Sequence, residues 1–159
     1  MGLSFLAFLG MNLVAASSGA IFRPGPWYET LRKPAWRPPN AAFPIVWSAL
    51  YLLIAIAAAR VWDAGSGEQR DAAMLAYGVQ LVLNAGWSAL FFGMRRMRLA
   101  LAELGLLWVS IVAMIATFAP IDGTAALLLA PYLLWVSIAG LLNFTMIRLN
   151  PDAGETASA

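Results

Sequence analysis

The sequence predicts an all-α integral membrane protein, a bundle of five transmembrane helices, on three observations. Five stretches of about 20 apolar residues follow one another, each bounded by charge, proline or glycine, and about 20 residues in a helix cross a hydrocarbon core of about 30 Å. Of the residues 62% are hydrophobic and 11% charged, against roughly 45–50% and about 25% in a soluble domain. A length of 159 residues leaves no room for a second, soluble domain once five spans are placed. The mean hydropathy of +0.76 makes lipid the solvent for most of the outer surface, which excludes an ordinary soluble enzyme.

In chain order the spans run over about 3–22, 43–61, 72–92, 99–118 and 124–147, with a lid-like loop at 23–42. Together they make a membrane domain of 1–150, followed by a tail, 151–159, expected to be disordered. The first span ends in a small-residue run like that of a secretory signal. It lacks a positive n-region, since nothing charged precedes Arg23, and it is long for an h-region, so it reads as a retained helix. Five spans carry no internal inverted repeat of the kind secondary transporters use.

Arg23, Arg32, Lys33, Arg37, Arg95, Arg96, Arg98 and Arg148 fall on one face, and only Arg60 and Arg70 on the other. In a bacterial inner membrane this bias of eight to two sets the C-terminus in the cytoplasm and the N-terminus outside. The net charge of +2 is too mild to suggest nucleic acid as a partner.

Histidine and cysteine are both absent, which removes the commonest transition-metal ligands, the Ser-His-Asp and Cys-His nucleophile arrangements, and any disulfide. No metal site and no intrinsic cofactor are expected. Chemistry would have to come from carboxylates, hydroxyls, tryptophan or a bound ligand.

The long loop holds Pro24, Pro26, Pro34, Pro38 and Pro39 with Trp27, Tyr28 and Trp36 between them. Proline lowers the entropy of a loop, which suits a lid over a cavity; the aromatics taken singly also fit an interfacial belt. On the second span Phe43, Trp47 and Tyr51 recur every four residues as one ridge. On the third, Gln80, Asn84, Trp87 and Phe91 share a face, where a carboxamide needs partners inside the bundle. On the fifth, Tyr132, Trp135, Ala139 and Asn143 share a face near Pro131, which frees a carbonyl and invites a kink. Three aromatic faces broken by polar or small residues fit either a packed aromatic core or a pocket for a flat, largely apolar ligand.

Glu103 is the one carboxylate inside a span. It lies about 7 Å beyond Arg98 at 1.5 Å per residue, so the expectation is a side chain that snorkels or pairs with Arg95, Arg96 and Arg98; the other reading is a proton-coupling acid. Ala85, Ala89 and Gly93, and Ala15 and Gly19, have spacings that permit close helix approach and are consistent with a homodimer.

The run Trp27-Tyr28-x-x-Leu31-x-Lys33-Pro34-x-Trp36-x-Pro38-Pro39, followed by Phe43 and Trp47-x-x-x-Tyr51, closely resembles the first loop and second helix of the tryptophan-rich sensory protein and translocator protein family (TspO/MBR), which includes the peripheral-type benzodiazepine receptor and its bacterial relatives. The likeness continues through Gln80-x-x-x-Asn84-x-x-Trp87-x-x-x-Phe91-Phe92-Gly93 and Pro131-Tyr132-Leu133-x-Trp135-x-x-x-Ala139-x-x-Leu142-Asn143. The resemblance implies a homodimeric five-helix receptor or translocator, with a role in stress or oxygen-linked regulation or in tetrapyrrole handling. Its ligands would be protoporphyrin, haem, isoquinoline and benzodiazepine-type molecules and, in some members, sterols or lipids.

By the same resemblance the ligand-binding residues are Tyr28, Trp36, Pro39, Phe43, Trp47, Tyr51, Asn84, Trp87, Trp135 and Ala139, in a pocket under the first loop. Some relatives are reported to degrade protoporphyrin in light, which would make Trp47 and Trp135 catalytic. The family's sterol motif is matched by Leu142, Phe144 and Arg148 in spacing but lacks the tyrosine hydroxyl, so cholesterol is not the expected natural ligand. A small exporter using Glu103 as the coupling acid is a third functional reading.

Overall fold

The structure, a computed structural model, describes residues 2–153. Five helical segments are long and apolar enough to cross a membrane, and among the described residues there is no strand. The first, α1, covers Gly2–Ile21 without a single charge; Arg23 Nε then closes it by donating to the Ala20 carbonyl at 2.7 Å, and Pro24 prevents its continuation. A five-residue helix, α2 (Pro26–Thr30), interrupts the long loop, started by its N-terminal proline. The sequence pattern had given that segment only as a stiff lid.

Helix α3 (Ala42–Ala64) buries a run of alanines. Ala55, Ala57, Ala58 and Ala59 are fully enclosed, since their small side chains let neighbouring backbones come close. Helix α4 (Gly67–Ser88) begins earlier than its apolar stretch, because Glu68, Gln69 and Arg70 are good helix formers even outside the hydrocarbon. It continues into a π-helical turn over Ala89–Gly93, closed by Met94 N donating to Ala89 O at 2.8 Å. Arg95, at φ 57°, then takes the left-handed conformation that makes the sharp turn into α5 (Met97–Phe118).

The fifth predicted span is two helices, α6 (Gly123–Leu128) and α7 (Ala130–Leu149), interrupted at Leu129, two residues before Pro131. The expected kink is there, in the form of a break. Asp122 caps α6: its Oδ1 accepts from Ala125 N at 2.9 Å and its Oδ2 meets Arg60 Nη2 at 2.8 Å. The Ala125 amide and the Arg60 guanidinium hold the Asp122 carboxyl below the usual carboxylate range. Of the predicted tail, 151–153 form a turn whose Ala153 packs on the α2 cluster, and 154–159 lie outside the described residues.

Of the small residues whose spacing permits close helix approach, Gly93, Gly19 and Ala15 meet neighbours within the chain. A Cβ on Gly93 would come within 2.7 Å of the Phe22 ring, Gly19 faces Ser88, and Ala15 is buried, so this stripe brings the end of α1 onto α4 and its π turn.

The other half of α1 is held by Asn12. Its Nδ2 donates to the Tyr51 carbonyl at 2.8 Å and its Oδ1 accepts from Tyr77 OH at 2.9 Å, while Phe8 packs edge-on against Trp62 and Tyr77. Asn12→Leu removes both bonds and leaves the buried Tyr77 hydroxyl without a partner. A loss of about 1–3 kcal/mol is expected, seen as a lower Tm in detergent. The Asn12→Leu/Tyr77→Phe double variant should recover part of that loss, and an unchanged Tm in the single variant would show that Asn12 does not clamp α1.

Candidate binding cavity

A cavity of about 750 Å³ opens between α1, α3, α4, α5 and α7 beneath the long loop, within the range of pockets that take drug-sized ligands. Its α3 wall is the ridge read from the sequence, Phe43, Trp47 and Tyr51, with the Trp47 and Tyr51 rings stacked at 5.4 Å. Asn84, Trp87, Phe91 and Phe92 come from α4 and its π turn. The Trp87 and Phe91 rings stack at 5.0 Å, and the π turn brings Phe92 into the same cluster, edge-on to both. Helix α7 adds Trp135, Val136, Ala139 and Asn143, with Phe43 bridging to Trp135 at 5.6 Å. The roof is α2. Its Tyr28 is buried against Phe91 and Phe92, lies under Lys33 Nζ at 4.5 Å, and has Arg37 Nη1 at 3.4 Å from its hydroxyl.

Eight of the ten side chains implied by the resemblance thus share one wall: Tyr28, Phe43, Trp47, Tyr51, Asn84, Trp87, Trp135 and Ala139. Trp36 and Pro39 do not line it. They sit on the outer surface of the loop, where Trp36 is 49% exposed, because α2 and not the later proline run folds over the opening.

The shared polar face of α4 does both things its pattern allowed. Asn84 Oδ1 accepts from Tyr51 OH at 2.7 Å, its Nδ2 donates to Tyr132 OH at 2.8 Å, and Tyr132 OH donates to Gln80 Oε1 at 3.0 Å. This chain ties α3, α4 and α7 together and orients the Asn84 amide at the wall. Tyr132 and Gln80 stand behind the wall, completely or almost completely buried, so the aromatic face of α7 is part core and part pocket. The indole N–H groups of Trp87 and Trp135 are buried and have no acceptor in the bundle.

Glu103 corrects an expectation. It makes no ion pair with Arg95, Arg96 or Arg98, which stay exposed. Its carboxyl instead turns inward beside Gly86 of α4, 9% exposed, with neither oxygen hydrogen-bonded. Gly86 leaves the room that a side chain there would have taken. Glu103 is not on the cavity wall, although Leu104 and Leu107 of the same helix are.

The residues of the sterol-like motif point apart. Leu142 is buried on the cavity side, whereas Phe144 is half exposed with the Arg148 guanidinium 5.9 Å above its ring. Sequence reasoning missed Arg23, Glu29 and Asn40 at the rim and the serines Ser18, Ser48 and Ser88 among the lining residues, since isolated polar residues near span ends carry no periodic signal.

The family model described as the TspO/MBR family matches residues 5–149. The chain is 44% identical over 140 residues to Protein CrtK of Rhodobacter capsulatus, covering 86% of each chain. It is 42% identical over 152 residues to the tryptophan-rich sensory protein of Cereibacter sphaeroides, covering 95% of this chain and 94% of that one. The translocator protein of Bos taurus is 36% identical over 153 residues, 94% of this chain and 89% of its own.

Proposed function

Because the chain belongs to the TspO/MBR family, we propose that it is a membrane receptor that takes tetrapyrroles, protoporphyrin and haem, and flat isoquinoline- or benzodiazepine-type molecules into this cavity. The observation that carries the reading is the aromatic wall itself: Trp47, Tyr51, Trp87, Phe91 and Trp135 around about 750 Å³. Stacked aromatic contacts contribute about 0.5–1.5 kcal/mol each beyond burial, which favours a large planar ligand over a sterol. Its output would be stress or oxygen-linked regulation or tetrapyrrole handling. The protein would work as a homodimer with its N-terminus outside and C-terminus in the cytoplasm of a bacterial inner membrane, as the Lys and Arg bias suggests.

Titration of the purified protein with protoporphyrin, haem and a sterol, followed by tryptophan fluorescence, tests this reading. Saturable quenching by both tetrapyrroles and none by the sterol is expected. With no histidine or cysteine to hold iron, haem and metal-free protoporphyrin should bind within about tenfold of each other, a gap of about 1.4 kcal/mol. A thousandfold preference for haem with a methionine or tyrosine ligand signature in its spectrum would overturn the account, and so would an absence of saturable binding.

A second reading, light-driven porphyrin degradation, is favoured by one feature. Trp47 and Trp135 stand on different helices of the same cavity wall, each beside Phe43 or Tyr51. Indole is the side chain here most easily oxidised outside sulfur chemistry, and a porphyrin between these rings would be in contact with it. The exporter reading has a buried, unpartnered Glu103 in its favour, but the carboxyl lies behind the wall. Ligand-dependent activity that survives Glu103→Gln would remove it.

A further inference from the structure

The cavity wall is not closed on all sides: Leu13 of α1 and Ser48 of α3 line it and are exposed, within segments long and apolar enough to span a membrane. Ser4 with Asp63, Phe8 with Trp62 and Asn12 with the Tyr51 carbonyl join α1 to α3, and beyond Asn12 no hydrogen bond or ring contact among the described residues does so. In its second half it leans the other way, with Gly19 toward Ser88 of α4 and the Phe22 ring against Gly93. Beyond Asn12, therefore, α1 and α3 part. The residues bordering the space between them both line the cavity and are exposed: Leu13 (58%), Gly19 and Ala20 on α1, and Pro44 and Ser48 on α3. Leu13 lies eight residues inside the end of α1, about 12 Å by helix rise, and Ser48 six residues inside α3, about 9 Å. The opening thus extends well into one leaflet. At its outer end it reaches Arg23 and Glu29, both exposed on the rim.

The loop side is fastened. Asn150 at the end of α7 grips the backbone of Arg32 at two points, its Oδ1 accepting from Arg32 N and its Nδ2 donating to Arg32 O, both at 2.8 Å. Tyr28 and Leu31 are buried beneath that grip among Phe91, Met97, Leu142 and Met146. Lifting α2 would break these contacts together, whereas no hydrogen bond or ring contact among the described residues ties α1 beyond Asn12 to α3.

We propose that ligands enter and leave sideways, from the lipid leaflet, through this slot between α1 and α3. The substrate class is then an apolar amphiphile already dissolved in the leaflet. Its planar body passes between the helices while an acidic group stays at the level of Arg23, whose guanidinium spends only its Nε on the Ala20 carbonyl. Glu29 at the same rim is offset by Lys33, 4.0 Å away, so the rim remains cationic toward the ligand. The proposal rests on the tetrapyrrole reading above for its probe, and not for its geometry.

The chain has no cysteine of its own, so pairs can be introduced and joined with a short thiol cross-linker in lipid nanodiscs. Joining Arg32→Cys to Asn150→Cys locks the loop, and protoporphyrin association should stay within about twofold of the unlinked protein. Joining Ala20→Cys to Ser48→Cys bridges the slot, and both association and the release of preloaded protoporphyrin should slow at least about tenfold. Rates that fall with the locked loop, or that do not change with the bridged slot, overturn the proposal. If the parent protein shows no saturable protoporphyrin binding, the functional reading fails, and the slot is then read without ligand. A nitroxide on Ser48→Cys should be relaxed by dissolved oxygen far more than by a water-soluble nickel chelate; relaxation chiefly by the chelate would show the opening to be aqueous and overturn the lateral route.

Discussion

Ala139→Leu is expected to lower protoporphyrin affinity by about 5- to 150-fold while the protein still inserts and folds. Ala139 lies one turn beyond Trp135 and one before Asn143, on the cavity wall, and a Cβ placed on the adjacent Gly140 would meet Leu104 of α5 at 3.5 Å. The added side chain has two directions open to it, into the cavity or against α5. Overpacking of this kind typically costs about 1–3 kcal/mol, and each 1.4 kcal/mol is tenfold in affinity. If the bulk goes into the cavity the loss appears in binding with little change in Tm. If it goes against α5, Tm falls as well, and the two measurements separate the outcomes. Leu141→Ala, on the lipid-facing side of the same helix at 58% exposure, is the control and should leave binding unchanged. Unchanged affinity in the Ala139→Leu protein would place position 139 outside the site.

The five spans were legible because their signal is an average over about 20 residues, which single residues hardly disturb. Individual faces were legible for the same reason: Phe43, Trp47 and Tyr51 repeat at the helical period and do lie along one wall. What the pattern could not give was each event decided by one hydrogen bond or one close contact. The π turn after Ser88 is closed by Met94 N on Ala89 O, and nothing in ALFFG distinguishes it from an α-helical end. The direction of Glu103 was likewise out of reach. Distance from Arg98 along one helix suggested snorkelling, but the side chain turns to the space left by Gly86 on another helix, a relation between two chain segments that spacing on one does not contain. Trp36 and Pro39 were read from a motif whose members looked equivalent. The fold separates them by where α2 lands, with Tyr28 carried under the loop and Trp36 and Pro39 left outside. The small-residue stripe was visible, but not its partner, which is the same chain's own Ser88 and Phe22.

If porphyrin photochemistry occurs in this protein, replacing Trp47 and Trp135 by phenylalanine should abolish it while weakening binding only modestly. Phenylalanine keeps an apolar ring and most of the stacking, so what each substitution removes is the oxidisable indole. The two positions are not equivalent in their surroundings. Trp47 stacks on Tyr51 at 5.4 Å and meets Tyr132 edge-on at 6.2 Å, so a radical formed there has phenols beside it that are tied through Asn84 and Gln80. Trp135 meets only Phe43, and its N–H has no acceptor in the bundle. The Trp47→Phe variant should therefore lose the route by which an oxidising equivalent leaves the wall, and Trp135→Phe should lose the second oxidisable indole on the cavity. On that basis both single variants should slow the light-driven loss of protoporphyrin at least about tenfold, and neither should weaken binding by more than about 1.5 kcal/mol, the upper value for one stacked aromatic contact. A double variant that destroys protoporphyrin at the original rate, or a rate in the parent protein no greater than in detergent alone, would mean that the two indoles act only as walls and that the protein binds its ligand without transforming it.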